Sequence, residues 1–80
     1  MEVEAEVSLY PLGEQHLSRA IESFVNVLEE HDCEAEVGPM SSLVHGESFN
    51  VFKALRVGYE RACEDGGCVL IVKASNACPT

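Results

Sequence analysis

The sequence predicts an α+β sandwich, a four-stranded antiparallel sheet with two helices on one face. Three observations carry that expectation. Val3, Ala5, Val7 and Leu9 alternate with polar residues, as do Cys33, Ala35 and Val37, which is the period of a strand with one buried face. Two intervening stretches instead repeat apolar residues at spacings of three and four, as a helix with one buried stripe requires. Pro11 with Gly13, Gly38 with Pro39, and Gly66 with Gly67 punctuate the boundaries as turn signals.

The elements follow in order. The first strand sets Glu2, Glu4, Glu6, Ser8 and Tyr10 opposite its apolar row, and Pro11 and Gly13 end it. In the first helix Leu17, Ala20, Ile21, Phe24 and Leu28 form the stripe while Arg19, Glu22, Glu29 and Glu30 face water, with the end expected near Asp32. Cys33, Ala35 and Val37 alternate with Glu34 and Glu36 in a short second strand, broken where Pro39 cannot donate to a ladder. A hairpin leads to a third strand over Ser42, Leu43, Val44 and His45, closed by Gly46, and Ser48 is expected to cap the second helix by accepting a backbone N–H. Val51, Leu55, Tyr59 and Ala62 make the apolar face of that helix, and Gly66 and Gly67 offer the left-handed geometry that commonly ends one. Cys68 to Val72 reads as a last strand with apolar residues on both sides. Residues 1–80 are expected to form one domain, with no repeat or low-complexity linker and with Ala74 to Thr80 loosely ordered.

The order strand, helix, strand, strand, helix, strand has one compact solution with right-handed crossovers. It is the ferredoxin-like arrangement, with the first and last strands side by side near the middle of the sheet. The other sheet face stays uncovered. Glu4, Glu6 and Ser8 are expected there beside Val69, Ile71 and Lys73. Two large β-branched residues beside acids are unexpected on a monomer. A chain of 80 residues buries only about 60% of its unfolded surface, so self-association would help it. A homodimer or homotetramer is the expectation.

Composition excludes several functions. Five basic against 14 acidic residues give a formal charge of −9, which repels phosphate backbones and anionic membranes, so no nucleic acid partner is expected. Residues 1–6 are acidic and alternating, without the basic start and apolar run of a secretory signal. No stretch is long enough to span a bilayer, so no membrane insertion is expected. The protein is expected to be cytoplasmic, with Cys33, Cys63, Cys68 and Cys78 reduced. Cys63 and Cys68 flank four residues, a spacing outside the usual zinc range, and read as small apolar side chains. His16, His31 and His45 are far apart in sequence and no Ser or Cys sits in a nucleophile turn, so no catalytic set stands out and no enzyme is expected.

Three short blocks complete the reading: Ser8-Leu9-Tyr10-Pro11-Leu12-Gly13, then Gly38-Pro39-Met40, then Gly46-Glu47 leading into a helix. Together they resemble the thiamine-binding domain family of the YkoF type, and the likeness in element order covers nearly the whole chain. Each block alone is an ordinary turn; three in register with the strand and helix pattern are specific. The resemblance implies a small ferredoxin-like domain that assembles into dimers or higher oligomers and binds thiamine or its hydroxymethylpyrimidine part without converting it. It points to Ser8, Tyr10, Met40, Ser42, Val44 and Glu47 as ligand-binding positions. His45 stands in the same block, where the family often carries an acidic residue, and is a further candidate ligand contact; the turn after Gly13 is short.

The residue types suit such a ligand. Thiamine carries a fixed positive charge on its thiazolium ring and an aminopyrimidine edge with donors and acceptors, which call for carboxylates, an aromatic or thioether wall and hydroxyls. Glu4, Glu6, Tyr10, Met40 and Ser42 supply them. No cofactor is expected beyond the ligand itself. Two other classes compete. An interaction module would use the open sheet face for protein contact alone, and a metal or redox carrier would use the cysteines. Acylphosphatase-like hydrolysis would need an anion-cradling loop with arginine, which is not evident at Leu12 and Gly13.

Overall fold

The computed structural model describes residues 1–13, 17–64 and 66–77. The expectations for His16, for the side chain of Leu17 and for Cys78 lie outside the described residues. The element order is β1 (Glu2–Pro11), α1 (Leu17–Glu30), β2 (Glu34–Val37), β3 (Ser42–Glu47), α2 (Ser48–Ala62) and β4 (Cys68–Ser75). The sheet is antiparallel in the order β2-β3-β1-β4. It is the α+β, ferredoxin-like sandwich that the periodicities require, with both helices on one face.

The sheet centre differs from expectation. β1 and β4 are neighbours, but β1 and β3 hold the middle and β4 is an edge, because the second side of β1 is taken by β3 and the hairpin extends the sheet beyond it. The last strand is also longer than its apolar run. Ala74 and Ser75 pair with Ala5 and Glu4, so those two residues of the expected loose tail belong to the ladder.

Val3, Ala5, Val7 and Leu9 of β1 and Val44 of β3 face the helices and are buried with Phe24, Val27 and Leu28 of α1 and Val51 and Leu55 of α2. Burying a side chain of the Val, Leu or Phe type stabilises the fold by about 1.5–3 kcal/mol. Cys33 and Cys68 are buried in it and Cys63 packs against it, as small apolar residues do. Burial, and secondarily the charge of Asp32, push the Cys33 thiol up.

Gly46 lies within β3 and does not close it: it is buried, and a Cβ there would stand 3.3 Å from Val51 Cγ2, so its missing side chain lets α2 settle on the strand. The buried face of α2 holds Val51, Leu55 and Ala62 as expected and departs from the expectation at Tyr59. Ala54 and Gly58 lie on the buried stripe, while Tyr59 is on its exposed flank with its hydroxyl donating to the Cys68 carbonyl at 3.1 Å. A Cβ on Gly58 would come within 2.8 Å of the Phe24 ring, so Gly58 sets how closely the two helices approach.

The helix ends have their own chemistry. Asp32, at φ 61°, takes the left-handed conformation after α1. Cys33 N–H donates to Leu28 O (3.1 Å) and Asp32 N–H to Glu29 O (3.2 Å), the paired bonds of a Schellman motif. At the start of α2 the cap is Glu47 and not Ser48. The Glu47 carboxylate accepts from the N–H groups of Ser48 and Phe49, and Ser48 is the first helical residue. A carboxylate reaches two orphan N–H groups and suits the positive end of the helix dipole. α2 ends at Ala62 with Cys63 at φ −89°; Gly66 does take a positive φ, 154°, but only after the helix has closed.

Candidate functional site

The ladders flanking β1 have unequal lengths. Toward β4 the pairing runs from Glu4 with Ser75 to Pro11 with Cys68; toward β3 it stops at Val7 with Ser42. Ser8, Leu9 and Tyr10 therefore lie beyond the reach of β3, where the chain has already turned into the β2–β3 hairpin. That hairpin is closed on itself by Gly38 N–H donating to Ser41 O at 2.8 Å, and a Cβ on Gly38 would meet that same oxygen at 2.9 Å. Only glycine lets the turn tighten so far.

The missing length of strand leaves a cleft of about 300 Å³ between β1, α1 and the hairpin. Its inner wall is made by Val7, Leu9, Ile21 and Phe24, its outer wall by Val37, Pro39 and Met40. Ser8 and Tyr10, from the opposite face of β1, also border it, so the cleft opens toward both faces of the sheet. Ser41 and Ser42 complete the lining. Phe24 and Leu9 are buried, whereas Met40 is 88% exposed and Val37 57%. A buried apolar wall thus faces an exposed one.

A second concavity, also about 300 Å³, lies on the open sheet face among Glu4, Glu34, Glu36, Leu43 and His45. It is carboxylate-rich. The register places Glu4 and Glu34 on either side of His45, and His45 Nε2 is 3.2 Å from a Glu2 oxygen. Among the described residues no group of three or more His, Cys, Asp or Glu side chains has metal-holding geometry.

The nine residues singled out in the sequence divide between these places. Ser8, Tyr10, Met40 and Ser42 border the cleft, and Glu4 and His45 border the acidic trough. Glu6 stands between them: it accepts a hydrogen bond from Ser41 Oγ (3.3 Å), and Lys73 Nζ lies 3.7 Å away. Val44 borders the trough, but its side chain is wholly buried toward the helices. Glu47 is at the far end of β3, opposite Glu2, its carboxylate held by the cap and by the N-terminal ammonium at 2.6 Å. That ammonium first, then the Phe49 N–H, holds its pKa below the usual carboxylate value. Ile21, Phe24 and Val37 enter the cleft without having been singled out. They read in the sequence as core or strand residues, and only the end point of the β1–β3 ladder turns them toward an opening.

The open face carries the expected Val69 and Ile71, Ile71 exposed by 56%, and with them the exposed Tyr10 and Leu43. Among the described residues no helix is long and apolar enough to cross a membrane.

Solved structures share this architecture. A hypothetical protein from Methanocaldococcus jannascii matches with a TM-score of 0.88 at 23% identity, over 99% of this chain and 84% of that one. A protein from Thermotoga maritima, described as having a proposed role in thiamine biosynthesis or salvage, matches with a TM-score of 0.80 at 18% identity, over 94% of this chain and 83% of that one. A de novo designed protein reaches 0.60 at 11% identity, over 95% of this chain and 98% of that one, so likeness at this level speaks of fold alone. No curated protein matches the chain. The family profile that does match spans residues 5–74, from the second core residue of β1 through most of β4, and by it the chain belongs to the thiamine-binding protein family.

Proposed function

We propose that this protein, as a member of the YkoF type, binds thiamine or its hydroxymethylpyrimidine moiety reversibly and without chemical conversion, to sequester or deliver it in the cytoplasm. The observation that carries the reading is the cleft beside Ser8–Tyr10, where four residues singled out by sequence motif meet an apolar floor. At about 300 Å³ it is at the small end of ligand pockets, which run from roughly 300 to 1,000 Å³. That size favours a single substituted heteroaromatic ring. The pyrimidine would lie against Phe24 and Met40, with the Ser42 hydroxyl within the lining. The fixed thiazolium charge would point outward to Glu6, where a carboxylate near a cation gains Coulomb attraction that partial burial strengthens.

Association of two or four copies through the open sheet face would complete the groove. The exposure of Tyr10, Leu43, Val69 and Ile71 supports it, since apolar patches rimmed by charge mark interaction surfaces. In this reading Glu4 and His45 belong to the rim and Glu47 to the helix cap.

The test is thermal unfolding of the purified protein with thiamine, hydroxymethylpyrimidine and a neutral control, at fixed protein concentration. Ligand at 100 times its Kd adds about 2.7 kcal/mol, a rise on the order of 10 °C or more for a domain of this size. Met40→Ala should weaken the saturable shift severalfold. No shift with either vitamin species at millimolar concentration would overturn the reading and leave the open face as a protein-contact surface.

A further inference from the structure

We infer that the outer face of α2 is a docking surface for an acidic amphipathic helix of a partner protein. Phe49, Phe52, Lys53 and Arg56 stand at positions i, i+3, i+4 and i+7 and so form one stripe along the helix. All four are exposed, Phe49 by 71% and Phe52 by 51%. The fold does not use the two rings, since Val51, Ala54, Leu55, Gly58 and Ala62 supply the buried side of α2. α1, in the same layer, is the contrast: among the described residues its exposed side chains, from Ser18 to Glu30, are all polar, as a solvated helix face requires. Large apolar side chains grouped on a surface and bordered by charge mark a place where another molecule binds.

Charge chooses the occupant. Lys53 Nζ lies 6.0 Å from the centre of the Phe49 ring, and among the described residues no carboxylate forms an ion pair with it. Arg56 meets Glu60 at 3.3 Å in an exposed pair, and its guanidinium has further donors for a second carboxylate. Rings flanked by these cations suit apolar side chains flanked by carboxylates. A helix surface offers no free backbone groups for a strand to pair with, so the partner docks by side chains at helical spacing, ridge into groove. A second copy fits poorly. Two-fold contact between α2 stripes would set cation against cation, and contact of α2 with the acidic sheet face of another copy would propagate without closing. An anionic membrane fits poorly too, because a formal charge of −9 accompanies the two cations toward it. The stripe is on the helix side of the sandwich, so association of copies through the open sheet face leaves it free.

The probes are two synthetic helical peptides with the same leucine stripe, one flanked by glutamates and one by glutamines, and vesicles of phosphatidylglycerol. Fluorescence anisotropy of the labelled peptides gives affinity, and amide shifts in NMR spectra of the protein locate the contact. The glutamate peptide should bind saturably and roughly tenfold or more tighter than the glutamine peptide, with the largest shifts within residues 48–62. Phe52→Ala should weaken it by roughly tenfold or more, and Lys53→Glu with Arg56→Glu should abolish its advantage over the glutamine peptide. Both variants should melt as the wild type does, because the replaced side chains are exposed. No saturable binding of the glutamate peptide, equal affinity for the two peptides, or shifts confined to the sheet would overturn the inference. Vesicle binding that Phe52→Ala abolishes would overturn it in favour of a lipid surface.

Discussion

Replacing Gly58 with alanine tests the contact between α2 and Phe24, a residue of α1 that also lines the cleft. The new methyl would lie 2.8 and 2.9 Å from Phe24 Cδ1 and Cε1. Comfortable carbon contacts are about 3.5–4.0 Å, so ring and helix must separate by roughly 0.7 Å. Phe24 is 3% exposed, and the opening it borders is the cleft, into which the ring would be pushed. Overpacking of this kind costs about 1–3 kcal/mol, and alanine returns about 1 kcal/mol of helix propensity relative to glycine. Gly58→Ala should therefore destabilise by about 1 kcal/mol, within a span of roughly 0 to 2. In a Phe24→Leu background the obstructing ring edge is gone, and the same substitution should stabilise by up to about 1 kcal/mol. Urea unfolding of the four proteins at one fixed concentration measures the cycle. Equal effects of Gly58→Ala in both backgrounds would refute the geometric reasoning. Because Phe24 also lines the cleft, Gly58→Ala should weaken thiamine binding severalfold even where the protein remains folded.

Asp32→Gly relieves a non-glycine residue at φ 61° and should raise stability by roughly 0.5–1 kcal/mol; an unchanged or lower urea midpoint would count against the Schellman assignment. Glu47 has a folded pKa below its ordinary 4.5, so the stability it contributes is complete above that value and is lost as pH falls through the depressed one. Glu47→Gln should accordingly lower the melting temperature at pH 7, with the gap to wild type closing in acid; a gap that persists to the lowest pH would contradict the cap's ionic character. Ile71→Lys places a charge in the exposed apolar row of β4 and should lower the mass measured by sedimentation equilibrium if the open face joins copies; an unaltered mass would remove that face from the interface.

Fold and site were legible to different depths. Alternation in Val3 to Leu9 and the three-and-four spacing around Phe24 fix which faces are buried, because burial is imposed on each element by its own periodicity. The position of β4 at the edge was not legible, since a strand with apolar residues on both sides reads as central. Val69 and Ile71 are exposed all the same. The cap at Glu47 was hidden by Ser48, a better capping type standing one residue too late. In the candidate site, the turn motifs lead to Ser8, Tyr10, Met40 and Ser42, which border the cleft. Val44 stood in the same motif, yet strand alternation turns its side chain into the core. The cleft itself arises from a difference in ladder lengths, which belongs to pairing between distant segments and to no local pattern.

The pairing of Glu4 with Ser75 and of Pro11 with Cys68 bears on how the molecule comes into being. A chain still lengthening from its amino end can assemble β1, α1 and the hairpin, but the side of β1 later taken by β4 must stay bare until the last segment arrives. Contacts at such sequence separation close late and slow the search for the native state. During that interval an apolar-lined strand edge, with Val7 and Leu9 on its flank, is open to pairing with other nascent chains. Rapid synthesis should thus favour aggregates that slower synthesis avoids, although the finished protein is the same.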